Sequence, residues 1–427
     1  MKAWGSAGSS RAAQGDEAFC RFDDGRLRSD HAWRAHAVCI FGMPAGGERR
    51  LGNRRFLIWT FCVRMPGSLV FASIPMSLNL LRWPLPRYRR DPSRVHHGET
   101  GYRNLYPFKQ PRLIDLLRWN WERRRLKVEH RLQDIRRVEP DVAALAANRG
   151  RPSYTWIGHA SGLIQLAGMN LLLDPVWSQR ASPMQWAGPK RLSPPAIALD
   201  DLPHIDAVMV THNHYDHLDF LTLQRLARQS GGSPLFVVPL GVGRTLARAG
   251  APADRIVELD WWQRHRHGEV EMTLTPAQHW SKRWALGDRN RALWGGFAAK
   301  GGGAQLWYPG DTGYHPELFA RIAEHLGKVD VALLPIGAYR PRWFLQAQHI
   351  DPAEAVEIYR ILRPRRALAV HWGTFVLTDE PLHQPPLDLA DALSRHGIAP
   401  ADFSVPAIGE TLWLDAGAGG ERGDGSN

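Results

Sequence analysis

Cysteine is scarce in this chain, and its distribution limits the chemistry available. The 427 residues include 3 cysteines, Cys20, Cys39 and Cys62, and none follows residue 62. A disulfide scaffold is therefore excluded, and so is a cysteine-ligated zinc site in the rest of the chain. The 19 histidines and the carboxylates are what remains for binding a metal.

Long apolar runs and a uniform basic charge are missing as well. The uncharged run from Met65 to Leu81 is shorter than the roughly 20 residues that a spanning helix needs. The net charge of +12 comes from residues 1–150, with 28 basic and 14 acidic residues, whereas residues 151–427 carry 26 and 28. Because a nucleic-acid-binding body would itself be basic, no nucleic-acid partner is expected.

Changes in composition predict four regions. Residues 1–55 are rich in Gly, Ala and Arg without a period, which predicts disorder and makes Met65 an alternative start. Residues 56–150 form an apolar segment followed by a basic helical arm. Residues 151–415 alternate strands with helices and predict a domain of the α/β class. Residues 416–427 predict a disordered tail.

The arm at 56–150 has the pattern of a segment that binds a membrane surface. Four arginines between Arg82 and Arg90 follow the apolar run, and the helical pattern from Pro111 to Ala147 has a basic side. A buried or merely solvated segment is the plain alternative. We favour peripheral membrane contact, because these arginines would meet anionic headgroups. The predicted location is cytoplasmic or at the inner membrane surface, and a weak signal-like or anchor segment near 65–81 leaves the envelope open.

The most specific motif follows the predicted strand Ala207–Val210. It reads Thr211-His212-Asn213-His214-Tyr215-Asp216-His217. Imidazole and carboxylate are the zinc ligands used when cysteine is absent. A chance cluster of histidines is the competing explanation. It is disfavoured because four potential ligands occur in this order at the end of a strand. His212 and His214 can face one metal while Asp216 and His217 face a second.

Three further candidate ligands each follow a predicted strand. They are His279, Asp311 and His371, and open α/β sheets place their sites at such strand ends. Singly, each has an ordinary structural explanation. Together they complete a two-metal set, in which Asp311 is the natural bridge because a carboxylate has two oxygens.

This order of ligands resembles the metallo-β-lactamase superfamily and, within it, the phospholipases D that hydrolyse N-acyl-phosphatidylethanolamine. The similarity covers about residues 92–410. The runs that carry it are Trp156–Ala160, Arg180–Pro183, Gly188–Arg191, Asn213–Asp219, Glu258–Trp262, Gln278–Trp280, Gly310–Tyr314, Pro335–Phe344 and His371–Phe375.

The resemblance implies an αββα sandwich with two Zn²⁺ per chain. The sets carried over by motif are His212, His214 and His279 for one zinc and Asp216, His217 and His371 for the other, with Asp311 bridging. The implied reaction is attack of a metal-bridging hydroxide on the phosphodiester of a membrane phospholipid, giving N-acylethanolamine and phosphatidic acid. Asp216 and Asp311 would be catalytic as well as ligands.

Outside the ligand set, the resemblance and the sequence point to two more site residues. His349 matches a family histidine beside the metals, with phosphate positioning or leaving-oxygen protonation as its expected role. Its alternative is a structural place at a helix start beside Asp351. Tyr215 is expected to line the substrate channel, although packing is the more common use of such a residue. His159 is expected to be structural, with a supporting role behind a ligand as the alternative.

Three other functions compete with this prediction. The same fold serves nucleases, but the −2 charge of the body argues against one. It also serves lactonases and other soluble hydrolases, which do not need the apolar, basic arm. A non-catalytic membrane scaffold is disfavoured because all seven predicted ligands are present. The oligomeric state stays open, with a homodimer as one option.

Overall fold

The computed structural model describes residues 48–51, 54–65, 68–77, 88, 90–108, 111–283 and 287–414, and for those before residue 88 it describes the backbone alone. Of the range 1–55 that was predicted to be disordered, residues 1–47, 52 and 53 lie outside the described residues, as does the predicted tail at 416–427. The chain divides into two compact units, Met1–Trp83 and Pro84–Asn427. This division does not coincide with the boundary predicted at residue 150.

The first unit contains an antiparallel sheet of three strands. Strands β1 (Glu48–Leu51), β2 (Arg54–Met65) and β3 (Ser68–Ser77) pair in that order. β3 and all but the first two residues of β2 lie within the apolar segment that the sequence indicates, and β1 lies within the range 1–55.

Two sheets of seven strands form the centre of the second unit. The strands of the first sheet are β4 (Ser153–Gly158), β5 (Ser161–Leu166), β6 (Met169–Leu173), β7 (Ala207–Met209), β8 (Leu235–Pro239), β9 (Ile256–Leu259) and β17 (Thr411–Trp413). The strands of the second sheet are β10 (Arg264–His267), β11 (Val270–Thr275), β12 (Gly296–Gly301), β13 (Ala304–Tyr308), β14 (Val331–Pro335), β15 (Arg366–Val370) and β16 (Phe403–Ser404).

The two sheets follow the same plan. The first has the order β17-β4-β5-β6-β7-β8-β9, and the second has the order β10-β11-β12-β13-β14-β15-β16. In each sheet the first three pairings are antiparallel and the last three are parallel. Because parallel neighbours end at the same edge, the loops after β6, β7, β13, β14 and β15 gather there.

Helices accompany the sheets. They are α1 (Leu113–Arg123), α2 (Val142–Ala147), α3 (Phe220–Leu226), α4 (Gly243–Ala249), α5 (Pro316–Leu326), α6 (Arg342–Leu345), α7 (Pro352–Leu362) and α8 (Gln384–Arg395). The single helical pattern expected between Pro111 and Ala147 is thus divided into α1 and α2. Among the helices of the described residues, none is both long enough and apolar enough to cross a bilayer.

Alternate side chains of the strands enter different cores, as the two-residue period requires. Met209 on β7 packs in the core that also holds Leu274 and Leu333 of the second sheet. Its neighbour Val208 packs on the other face, with Leu223 of α3 and Leu246 of α4. The helices α5, α7 and α8 contribute their buried faces to the core of the second sheet. The α/β class and the αββα sandwich are confirmed.

Candidate metal centre

The predicted ligands all lie just beyond strands, and they come from both sheets. The loop between β7 and α3 holds His212, His214, Asp216 and His217. Asp219 caps the start of α3 by accepting a hydrogen bond from the Leu221 N–H. His279 follows β11, Asp311 follows β13 and His371 follows β15. All these side chains except Asp216 and His214 are almost completely buried.

The first predicted set comes together as three imidazoles. The ligating atoms of His212, His214 and His279 lie within 4.8 Å of one another. His279 Nε2 is 3.2 Å from His214 Nδ1. The structure thus brings together the three side chains that the resemblance assigns to one zinc.

The second set contains one residue more than expected. The ligating atoms of Asp216, His217 and His371 cluster within 4.8 Å together with those of His159. His217 Nε2 lies 3.1 Å from His371 Nε2 and 3.5 Å from Asp216 Oδ2. His159 Nε2 lies 3.2 Å from Asp216 Oδ2. His159 therefore directly contacts a predicted ligand.

Asp311 lies between the two sets. Its Oδ2 is 3.2 Å from His217 Nε2 and 4.0 Å from His279 Nε2, and its Oδ1 is 3.1 Å from His371 Nε2. Burial would raise the pKa of this carboxyl, but His217 and His371 outweigh burial and hold the pKa well below its usual range. An ionised carboxylate that touches both sets has the position of a bridge.

The spacing of the nitrogens fits a bound cation. Two zinc–nitrogen bonds of about 2.05 Å at a tetrahedral angle place their nitrogens about 3.4 Å apart. The pair His279–His214 at 3.2 Å and the pair His217–His371 at 3.1 Å are close to that value. In addition, His212 Nε2 is buried without a hydrogen bond. Buried polar atoms without a partner are costly, and a metal would satisfy them.

Neighbouring groups fix the orientation of three ligand rings. His217 Nδ1 is 2.7 Å from Asp174 Oδ2, and His279 Nδ1 is 3.0 Å from the carbonyl oxygen of Gln348. His212 Nδ1 is 3.0 Å from Thr211 Oγ1. When Nδ1 is engaged in this way, Nε2 is left to bind a metal.

Burial also sets the protonation of the first group of ligands. It lowers the pKa of His212 and His279 well below the ordinary value and that of His214 to about 4. These rings are neutral at pH 7, which is the form that binds a metal. For His217, burial acts in the same direction, but Asp311, Asp216 and Asp174 together raise its pKa well above the ordinary value. These three carboxylates favour a positive charge at this place. Either a protonated His217 or a bound metal cation would supply it.

His349 lies at the edge of the cluster, before α7. Its Nδ1 is 3.8 Å from Asp311 Oδ2, and 16% of its side chain is exposed. The capping box of Asp351 and Glu354 begins α7, and Arg342 donates to the His349 carbonyl oxygen at 2.8 Å. Burial lowers the pKa of His349 to about 4, so its ring is neutral. The structure thus places His349 beside Asp311 and open to solvent on one side.

Tyr215 is engaged by its own neighbours. Its hydroxyl donates to the carbonyl oxygen of Arg283 at 2.6 Å, and the guanidinium of Arg283 lies 4.3 Å from the ring centre. Arg283 in turn donates to the carbonyl oxygens of Asn213 and Leu218, which lie in the loop between β7 and α3 with four of the predicted ligands. A role of Tyr215 in lining a substrate channel stays a prediction.

Asp174 was not among the residues predicted from the sequence, and the contact of His159 with Asp216 matches the alternative given for it, a supporting role behind a ligand. Asp174 directly follows β6 and is fully buried, and it accepts from Thr211 N–H, from Thr211 Oγ1–H and from the His217 ring. Its place directly after a strand is the signal that could have found it, since the same signal identified Asp311 and His371. His159 gave no such signal, because it lies in the turn between β4 and β5.

Comparison with known proteins shows the family to which this chain belongs. Residues 169–372 match a family model described as a beta-lactamase superfamily domain. The N-acyl-phosphatidylethanolamine-hydrolyzing phospholipase D 1 of Caenorhabditis elegans is 39% identical over 268 residues, which cover 61% of this chain and 74% of the worm protein. The mitochondrial phospholipase D of the same description from Saccharomyces cerevisiae is 36% identical over 281 residues, covering 64% of this chain and 58% of the yeast protein.

A solved structure of a metallo hydrolase from Ignicoccus hospitalis is similar at a TM-score of 0.46 and 22% identity, covering 62% of this chain and 98% of that one. On the sequence matches, the chain is a metal-dependent hydrolase of the metallo-β-lactamase superfamily. Within that superfamily it belongs to the family of the worm and yeast proteins.

Proposed function

We propose that this chain is a zinc phosphodiesterase that hydrolyses N-acyl-phosphatidylethanolamine to N-acylethanolamine and phosphatidic acid. The observation that carries the proposal is the position of Asp311 between two sets of ligands, in a chain 39% identical to a phospholipase D of that substrate. Two zinc ions would supply Lewis acidity and a nucleophile at neutral pH.

Each group of residues has a defined part in this proposal. His212, His214 and His279 would hold one zinc, and Asp216, His217 and His371 would hold the other. Asp311 would bind both and keep them at a fixed separation. Asp174, through the His217 ring, and Gln348, through the His279 ring, would keep two of these imidazoles in the binding orientation.

His349 is the residue we assign to the substrate phosphate. Its ring is neutral and therefore carries one N–H, which can be donated to a phosphoryl oxygen or to the leaving oxygen. Its partial exposure beside Asp311 leaves room for a substrate group on that side. Donation there would orient the phosphodiester and stabilise the charge that develops on oxygen.

The helix α1 supports access to a membrane substrate. One of its sides is fixed, because Trp119 donates to Asp379 at 2.6 Å and Arg123 is 3.4 Å from the same carboxylate. The opposite side exposes an apolar stripe of Ile114, Leu117 and Trp121, with exposed fractions of 59%, 49% and 54%. We infer that this stripe inserts at the surface of an anionic membrane.

Basic side chains lie beside this stripe. Arg118 and Arg124 lie on either side of it, and the guanidinium of Arg125 covers the Trp121 ring at 3.4 Å. An apolar stripe bordered by arginine is the pattern of a helix that lies in the membrane interface. Peripheral association in this way would bring the enzyme to its lipid substrate at the membrane surface.

A substrate panel tests the proposed reaction. The full chain should turn over N-acyl-phosphatidylethanolamine in vesicles far faster than a lactone or a short RNA, and a small soluble phosphodiester should be cleaved slowly. Chelation of metal should abolish turnover, and zinc should restore it. Preference for the lactone or the RNA would contradict the substrate assignment, and turnover that resists complete metal removal would contradict the chemistry.

Variants of α1 test the membrane inference separately. The combined change Ile114→Ser, Leu117→Ser and Trp121→Ser should weaken binding to anionic vesicles by about 10-fold or more, because burying each such side chain contributes roughly 1.5–3 kcal/mol. The matched control replaces three exposed apolar residues elsewhere, Trp186, Leu221 and Leu387, by serine. Hydrolysis of the soluble phosphodiester should be unchanged in both. Equal vesicle binding by both variants would contradict the inference.

A further inference from the structure

We propose that Asn104 is a positioning residue that holds the backbone of His279 and thereby sets the affinity of one metal site. This inference rests on the proposed metal centre. Asn104 lies in residues 90–108, which we call the N-terminal strap, and the strap lies 61 residues or more before the range matched by the superfamily model.

The side-chain amide of Asn104 pairs with both backbone groups of His279. Asn104 Nδ2 donates to the His279 carbonyl oxygen at 2.9 Å, and the His279 N–H donates to Asn104 Oδ1 at 3.0 Å. The indole N–H of the buried Trp294 donates to the same Oδ1 at 3.2 Å. The amide therefore has one orientation, and both of its ends are engaged.

His279 needs this support because it lies outside regular structure. β11 ends at Thr275, so no strand ladder provides partners for the backbone of His279. The amide of Asn104 replaces the two hydrogen bonds that a neighbouring strand would make. The ring is fixed separately by the carbonyl oxygen of Gln348 at 3.0 Å from Nδ1. Backbone and ring together then determine where Nε2 points.

The strap holds Asn104 by contacts on both sides of it. Upstream, the Tyr102 N–H donates to the Asn290 carbonyl oxygen at 2.7 Å, and the Tyr102 side chain is buried. Downstream, the Tyr106 ring stacks on His315 with ring centres 3.7 Å apart. A residue fixed in this way can restrain a ligand 175 positions later in the chain.

The contact touches one ligand set only. Asn104 pairs with His279, which lies with His212 and His214, and none of its hydrogen bonds among the described residues reaches Asp216, His217 or His371. A residue behind a ligand typically changes metal affinity by about 10- to 100-fold. Loss of Asn104 should therefore weaken one zinc-binding event and leave the other unchanged, which a loss of general stability would not do.

The test is a zinc titration of the demetallated full chain against a chromophoric chelator. Asn104→Ala should weaken one of two binding events by about 10- to 100-fold. Asn104→Asp keeps the acceptor for the His279 N–H but turns a carboxylate oxygen toward the His279 carbonyl oxygen in place of the donor, so a loss of similar size is expected. This variant preserves the size of the side chain and serves if the alanine variant does not fold. The control is Arg103→Ala, an exposed strap residue that donates to Val95, and it should titrate like the wild type.

The outcomes separate this inference from the proposed function. A wild-type chain that binds two zinc ions, with Asn104→Ala and Asn104→Asp both binding them equally well, would overturn the positioning role alone. An equal loss at both sites, shared by Arg103→Ala, would overturn it too, since the strap would then act only through stability. A wild-type chain that binds no zinc would overturn the proposed function, and this inference with it.

Discussion

Two buried clusters of histidine and carboxylate in this molecule look alike in composition and differ in their hydrogen bonds. One is the centre around Asp311. The other joins His96 and His97 to Asp260, and its ligating atoms also lie within 4.8 Å of one another. A rule based on residue types and distances alone would make both of them metal sites.

The cluster at Asp260 is satisfied without a metal. His96 Nε2 is 2.6 Å from Asp260 Oδ1, and His97 Nε2 is 3.2 Å from Oδ2. His97 Nδ1 accepts from the Asp91 N–H, so its proton is on Nε2 and points at the carboxylate. Around Asp311, by contrast, nitrogens face nitrogens, and His212 Nε2 has no partner. Nitrogen lone pairs without a hydrogen-bond donor occur in the cluster around Asp311 and not in the contacts of the cluster at Asp260. This difference, more than the residue types, distinguishes a candidate metal centre from a structural network.

The largest effect that would test this comparison comes from the bridge. Asp311→Asn should lose zinc and should lower turnover by more than about 100-fold, since even a residue behind the ligands can cost that much. Metal analysis and steady-state kinetics measure the two quantities. Asp254→Asn, at an exposed position, is the control. An Asp311→Asn protein with full metal and activity would break the comparison.

The next effect concerns His349, which lies beside the metals without being assigned to them. His349→Ala should keep zinc and lower kcat by about 100-fold, the usual range for a positioned proton donor or acceptor. Metal analysis of the same preparation is essential, because loss of zinc would make His349 a ligand. Unchanged kinetics would remove it from the mechanism.

The smallest effect belongs to Asp260. Asp260→Asn should lower the free energy of unfolding by about 1–3 kcal/mol, because hydrogen bonds to a buried carboxylate are weakened. Burial would raise the pKa of Asp260, but His96, the Trp261 N–H and His97 together outweigh burial and lower it. Asp260 therefore stabilises the fold above its unfolded pKa of about 4, and this contribution is lost as pH falls through the folded pKa.

Denaturant unfolding between neutral and acid pH measures this contribution. The difference in stability between the wild type and Asp260→Asn should shrink as the pH falls below about 4. With zinc in excess, both proteins should bind the same number of zinc ions. A loss of zinc in Asp260→Asn under these conditions would show that the two clusters differ less than their hydrogen bonds indicate.

The local part of the site was predictable from the sequence, and the long-range part was predictable only in outline. His212, His214, Asp216 and His217 lie within six residues, so a single loop brings them together. His279, Asp311 and His371 were found because each follows a strand and because the family resemblance orders them. The pairing of Asn104 with His279 joins positions 175 residues apart, and no local pattern indicates it.

The fold shows the same limit. The central strand β7 is an apolar run, predicted as Ala207–Val210 and found as Ala207–Met209. The edge strand β10 reads Arg264-His265-Arg266-His267 and exposes alternate residues, so it has no apolar run to predict it. The edge strand β17 forms only through pairing with β4, more than 250 residues earlier in the chain. Elements that depend on distant partners carry little local signal.

The metal content of the purified full-length chain tests the central claim most directly. Elemental analysis of wild-type protein, dialysed against metal-free buffer, should give close to two zinc ions per chain, both lost on exhaustive chelation together with activity. A count near three would mean that the Asp260 cluster also binds metal. Its complete set of hydrogen bonds would then not distinguish it from the centre around Asp311. A fully active chain without metal would contradict the account.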